Sequence, residues 1–226
     1  MKRSQINRYI AEANAFFTRN GFLLPPFAQW SPQDWRQRGA EAGELRAARL
    51  GWDVTDFHSG DFNSVGLTLF TLRNGVAASA RPAKTYAEKI MFVREGQVTP
   101  FHYHVSKTED IINRGGKGTG RLALQLYNSD ENGGFAETPI SVICDGIERR
   151  VEPGATLTLG PGESITLTPR LYHTFYAVEG DCLVGEVSSL NDDATDNYFK
   201  DPLPRYPAID EDEPPTRLLC TEYPAR

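Results

Sequence analysis

The stretch VTPFHYHVSKTEDIINRGG, residues 98–116, decides the reading of this chain. It holds two of the four histidines, His102 and His104, one residue apart, with Glu109 five residues after the second. Side chains two apart on a strand share a face, so both imidazoles point the same way. A short turn at VSKT lets Glu109 fold back beside them. Neutral imidazoles and a carboxylate are the ligands of a divalent first-row metal such as Mn, Fe, Co, Ni or Zn. No cysteine lies nearby to make a soft, structural zinc site. The competing reading is an exposed strand that carries two histidines by chance.

Outward from this stretch, the chain changes character near residue 50. Before it, apolar residues recur at helical spacing: Ile6, Tyr9, Ile10, Ala13, Phe16 and Phe17, with Ser4 as a cap and Gly21 as a stop. Pro25 and Pro26 predict an extended link. Ser31, Pro32 and Asp34 start a second helical stretch to about Leu50, interrupted near Gly39 and Gly43. From Gly51 to about residue 190 the pattern is short strands: VGLTLFTL, YAEKIMFVR, GRLALQLYN, ISVICDG, ERRVEPGATLTL, ESITLTP, HTFYAVEG and CLVGEVSSL. Turn residues separate them, and RNG after the first reads as a hairpin signal. Many short strands at near-regular spacing predict an all-β sandwich or barrel. Residues 191–226 are acidic and proline-rich, yet Tyr198, Phe199, Leu203, Tyr206 and Ile209 argue for a segment lying on the barrel. No repeat or internal boundary stands out, so residues 1–226 read as one domain.

Composition removes several function classes. The 226 residues carry a net charge of −6 and no basic stripe, which argues against a nucleic-acid partner. No apolar run is long enough to span a bilayer, so no membrane role is expected. MKRSQINRYI continues as an amphipathic stretch and not as the apolar core of a secretory signal. Cys144, Cys182 and Cys220 are odd in number and far apart, which predicts reduced thiols in a cytoplasmic protein.

The wider frame strengthens the metal reading. Gly96 to Gly116 reads G-x5-HxH-x4-E-x6-G, which resembles the first sequence motif of the cupin superfamily at every position. The second cupin motif is matched in part. Gly162 and His173 fit, while Thr168, Arg170 and Ala177 stand where proline, glycine and asparagine are usual, and Pro169 falls one place late. The resemblance implies a small β-barrel, or jelly roll, with N-terminal helices, in which His102, His104, Glu109 and His173 hold one metal ion. His58, in FHSGD, has no partner in sequence and reads as a loop residue.

Cupins span enzymes, storage proteins and sensors, so the fold does not name the activity. The segments LPPFAQW, LGWDVTDF, LTLFTLRNG, YAEKIM, EDIINRGG, RLYHTF, VGEVSSLNDD and IDEDEPP resemble the bacterial D-lyxose isomerase family over nearly the whole chain. That resemblance implies a divalent metal, most often manganese with cobalt, zinc or iron possible. It implies interconversion of D-lyxose with D-xylulose, action on D-mannose and D-fructose, and a homodimer. Such an isomerase needs proton carriers and hydroxyl-binding groups besides its metal. Glu186 and Lys89 are ionisable residues in apolar strands, a costly placement without a partner or a task. The resemblance makes Glu186 the base between C1 and C2, and Lys89 a group that orients or shuttles a proton at O1 or O2. Glu88 and Lys89 face opposite ways and alternation cannot choose between them; the resemblance points to Lys89. Asp192, Asp193 and Arg205 are candidate sugar contacts. The competing readings are a buried ion pair without catalysis, an Fe(II) dioxygenase on the same ligands, and a non-catalytic sugar-binding cupin.

Overall fold

A computed structural model describes residues 1–76 and 84–224. Helix α1 (Arg3–Arg19) buries Ile6, Tyr9, Ile10, Ala13, Phe16 and Phe17, the face its spacing dictates. It starts one residue before Ser4, whose N–H and hydroxyl bond instead to the Asp212 carboxylate at 2.9 and 2.7 Å. Ser4 is therefore not the cap. After Pro25 the chain makes a 3-10 turn over Pro26–Gln29, because proline at the first position of a turn loses no hydrogen bond. The expected extended link is thus short. Ser31 and Asp34 form a capping box that opens α2 (Pro32–Gln37), and α3 (Gly43–Ala47) follows a 3-10 turn.

The strands are β1 (Gly51–Thr55), β2 (Leu67–Arg73), β3 (Tyr86–Val93), β4 (Thr99–His104), β5 (Glu109–Asn113), β6 (Arg121–Ser129) and β7 (Phe135–Ala136). The second half adds β8 (Ile140–Cys144), β9 (Ile147–Val151), β10 (Thr156–Leu159), β11 (Ser164–Leu167), β12 (Leu171–Val178), β13 (Cys182–Ser189) and β14 (Asn197–Phe199). They form two sheets. One runs β1-β2-β3-β13-β5-β11-β8-β9, and the other β10-β6-β12-β4-β14 with β7 on β6. All the strand pairs within them are antiparallel. Inward residues such as Met91, Ile111, Leu124, Leu126, Phe175 and Val184 fill the space between the sheets. The architecture is the mostly β, cupin-type barrel with N-terminal helices that the sequence predicts.

A second core lies outside the larger sheet. Phe16 stacks on Phe92 with centroids 4.2 Å apart, and Tyr9 on Phe62 at 3.8 Å. Helix α1 thereby covers β1 to β3 and leaves their other face to the barrel interior. The segment after β14 runs back over α1. The buried Arg3 guanidinium is clasped by Glu211 and Glu222, and Asn7 bonds to Glu213, Pro214 and Thr216. One turn expectation fails. RNG does not close a tight hairpin: β2 and β3 are joined over residues 74–85, and the Asn74 side chain reaches across to the Ala48 and Asn191 carbonyls. Residues 77–83 of that connection lie outside the described residues.

Candidate active site

The smaller sheet presents three histidines. His102 on β4 pairs in register with His173 on β12, and their rings lie 4.2 Å apart. His104, two residues along β4, has its ring 5.3 Å from that of His102. One ring nitrogen from each lies within 4.8 Å of the others, and all three residues are buried. The backbone fixes two of the tautomers. Nδ1 of His102 meets the Pro100 carbonyl at 2.9 Å, and Nδ1 of His173 meets the Leu171 carbonyl at 3.0 Å. A carbonyl only accepts, so Nδ1 carries the proton and Nε2 is left with a free lone pair. Burial pushes His104 down to about 4 and His102 well below its usual value, so both imidazoles are neutral at neutral pH.

The second cupin motif is rebuilt rather than lost. Arg170, where glycine is usual, takes φ = +64°, the left-handed conformation that glycine adopts freely. Its N–H donates to the His104 carbonyl at 2.8 Å, tying the turn before His173 to the end of β4. The histidines therefore meet although the local sequence differs.

The larger sheet faces them with charge. Glu109, at the start of β5, brings Oε1 to 3.1 Å from His173 Nε2 and Oε2 to 3.5 Å from His104 Nε2. The His173 contact is not aligned as a hydrogen bond, and His173 Nε2 is a buried nitrogen without a partner. An orphaned imidazole nitrogen beside a carboxylate is what a metal ligand set looks like without its ion. From Glu109 a string of opposite charges crosses the barrel. Lys107 Nζ lies 2.6 Å from Glu109 and 2.8 Å from Glu186; Lys89 Nζ lies 3.2 Å from Glu186 and 4.0 Å from Asp193; Arg205 lies 3.7 Å from Asp193 and 2.5 Å from Asp53. Glu186 and Lys89 are direct cross-strand partners on β13 and β3, which sets their contact.

Burial alone raises the pKa of a carboxyl, but the cations outweigh it here. Glu109 is held well below its usual range chiefly by Lys107, and Glu186 is lowered by Lys107 and Lys89. Lys107 is raised despite its burial, because Glu109 and Glu186 favour the ammonium. Asp193 is lowered by Lys89 and Arg205 in the same way. With Asp196, which lies 3.6 Å from His104 Nδ1, the cluster holds five carboxylates against three cations. The excess of two negative charges matches one divalent ion. The three buried histidines therefore fit a divalent metal, with the Glu109 carboxylate beside them.

A cavity runs between the two groups and is lined by His102, His104, Glu109, Lys107, Glu186, Lys89, Asp193 and Arg205. Of the three candidate sugar contacts, Asp192 is the exception. It does not line this cavity, and its carboxylate accepts from Ala194 N–H at 3.0 Å and Thr195 Oγ1 at 2.7 Å within its own turn. Glu88 faces outward to Arg73 and Lys89 faces in. His58 lies outside the cavity, where its Nε2 accepts the Ala208 N–H at 3.1 Å.

Several polar residues around the site escape a reading by sequence, among them Lys107, Asp53, Asn191 and Asp196. Lys107 sits two residues before Glu109, in a stretch that reads as turn. Asp53 lies within the apolar strand GWDVT and satisfies the argument used for Glu186. Asn191 accepts from Lys89 at 2.7 Å and Lys107 at 3.3 Å, a role no local pattern announces.

A mostly β, two-sheet barrel with N-terminal helices and a buried histidine triad on one wall has the cupin-type architecture. The profile of the D-lyxose isomerase family matches residues 1–223. The chain belongs to that family. It is 52% identical to a D-lyxose/D-mannose isomerase of Escherichia coli O157:H7 over 226 residues, covering 99% of this chain and 98% of the relative. It is 51% identical to a D-lyxose/D-mannose isomerase of Serratia proteamaculans with the same coverage. Among solved structures, the L-ribose isomerase of Acinetobacter sp. DL28 in complex with L-ribose shares the fold, with a TM-score of 0.57 at 14% identity over 93% of this chain and 98% of that one. The L-ribose isomerase of Cellulomonas parahominis with L-ribose gives 0.56 at 16% identity over the same shares.

Proposed function

We propose that the protein is an aldose–ketose isomerase that converts D-lyxose to D-xylulose and D-mannose to D-fructose. The observation that carries the reading is the unbroken string of buried opposite charges that begins at the histidine triad and lines one cavity. Such an isomerase moves a proton between C2 and C1 and another between O1 and O2, with an enediol between the two sugars. Bound by His102, His104, His173 and Glu109, a divalent ion, manganese in our reading, would supply Lewis-acid polarisation of the sugar carbonyl.

The chain's own groups do the rest. Glu186 is the base: lowered by its two lysines, it is ionised at neutral pH and free to take the C2 proton and return it at C1. Lys107, kept protonated by its two carboxylates, donates hydrogen bonds toward oxygen as negative charge develops there. Lys89, held by Asn191 and Glu186, orients O1 or O2 and passes their proton. Asp193 and Arg205 bind the hydroxyls further from the reacting carbons, with Asp53 fixing the guanidinium. Residues 1–226 act as one unit in this account, with 1–50 as a helical cover, 51–190 as the barrel and 191–226 packed on it. Three free, buried cysteines support a reducing, cytoplasmic setting. Assembly as a homodimer rests on the family resemblance, and light scattering tests it.

The test is a panel of free aldoses, incubated with the metal-loaded protein under argon and followed by NMR. Ketose from D-lyxose and D-mannose without oxygen supports the reading. Turnover only in oxygen would mean a dioxygenase, and sugar binding without turnover a binding module.

A further inference from the structure

The three histidines are not oriented alike. His102 and His173 each lean on a backbone carbonyl two residues away, whereas no carbonyl meets His104 Nδ1 in that way. There, Asp196 Oδ2 stands 3.6 Å off, a charge contact just beyond hydrogen-bond reach. The same carboxylate does more. Oδ1 accepts the Ser106 N–H at 2.7 Å and the Ser106 hydroxyl at 2.6 Å, and Oδ2 accepts the Lys107 N–H at 3.1 Å. The Asp196 carbonyl accepts the Val105 N–H at 2.9 Å. One residue therefore meets His104 and every N–H of the three residues that follow it. Those residues lead to Glu109 and include Lys107.

Asp196 is brought there by its own neighbours. Its N–H donates to the Asp192 carbonyl at 3.0 Å, and the Asp192 side chain closes that turn onto Ala194 and Thr195. Asn197 then pairs with His104 as β14 joins β4. In an acidic stretch, NDDATDN, Asp196 is only 7% exposed. A carboxylate so buried, accepting three hydrogen bonds and facing an imidazole, has a task at that position.

We propose that Asp196 is a positioning residue for the metal centre. It holds the orientation of His104 and pins the β4–β5 turn so that Lys107 and Glu109 arrive in register with the triad. The inference rests on the reading of the triad and Glu109 as a metal site. It makes the C-terminal segment part of the metal centre without supplying a ligand.

The test is Mn2+ binding to the chelated full-length protein, read by calorimetry and by electron paramagnetic resonance of the bound ion, with no sugar present. Asp196→Asn keeps the size and one acceptor but loses the charge. It should weaken Mn2+ about 10- to 100-fold, the usual cost of losing a partner behind a metal ligand, and alter the resonance of the ion. Ser106→Ala removes one bond to Asp196 and should weaken Mn2+ by a smaller factor, while Asp196→Glu should recover part of what Asp196→Asn loses. Wild-type affinity in Asp196→Asn, with Mn2+ lost in His104→Ala, overturns this inference alone. Failure of the wild type to bind Mn2+ overturns the metal reading and this inference together. Should Asp196→Asn not fold, unchanged affinity in both Ser106→Ala and Asp196→Glu also overturns it.

Discussion

Glu186 illustrates how one residue's chemistry is set by what surrounds it. Alone in a barrel it would be pushed toward the neutral acid; between Lys107 and Lys89 it stays ionised. Glu186→Gln removes the base while keeping the shape. Turnover should fall by at least about 100-fold, the low end of what a positioned general base contributes, with Mn2+ affinity within a few-fold of wild type. Near wild-type turnover in a proton-exchange assay would reassign the base. Lys107→Met tests the neighbouring cation. Without it, burial is free to raise Glu109 and Glu186, so the acid limb of kcat/KM should move to higher pH by about one unit or more. An acid limb that stays in place would remove Lys107 from the account. At this scale the sequence is legible where chemistry leaves a spacing. His102, His104 and Glu109 are written as one motif, and Glu186 and Lys89 as charges in apolar strands. Lys107 and Asp196 have no such mark, because a lysine in a turn and an aspartate in an acidic tail are ordinary until the fold buries them.

Elements bring the two walls of the site together. Strands β4 and β12 carry the triad, and β3, β5 and β13 carry the charges opposite. The strand pattern was readable from the alternation of apolar residues and the turn residues between strands. The connections were not. RNG proved to be the start of a long link, because Asn74 bonds across to Ala48 and Asn191 rather than closing a turn. The turn before His173 keeps its shape with Arg170 in the left-handed region, at a cost on the order of 1 kcal/mol. Its side chain recovers some of this through the Asp130 carbonyl at 3.3 Å and the Tyr103 ring. Arg170→Ala loses these contacts and keeps the strain, whereas Arg170→Gly loses the contacts and the strain together. Chemical denaturation should find the glycine variant more stable than the alanine variant by about 1 kcal/mol. The reverse order would show that the turn stores no strain there.

The whole molecule ties its two ends across the barrel, and the segment that clasps Arg3 also delivers Arg205 to the cavity and Asp196 to the turn before Glu109. That the tail carries apolar residues was visible in sequence; that it threads the site was not, since tertiary contact between residues so far apart leaves no local pattern. Among the described residues no helix is long and apolar enough to cross a membrane. Stability should depend on pH through His102 and His104. His104 is lowered from 6.5 to about 4, so between these values the unfolded chain binds more protons than the folded one. The metal-free protein should therefore lose stability as pH falls through this window, with a melting temperature several degrees lower at pH 5 than at pH 7.5. An unchanged or higher value at pH 5 would mean that the imidazoles are not held neutral by burial. The most direct test of the central claim is the initial rate of D-xylulose formation from D-lyxose by fully chelated protein as Mn2+ is added back. The account predicts no measurable rate without metal and a rise that saturates at one ion per chain. An undiminished rate in the chelated protein, or full activity in His104→Ala, would contradict it.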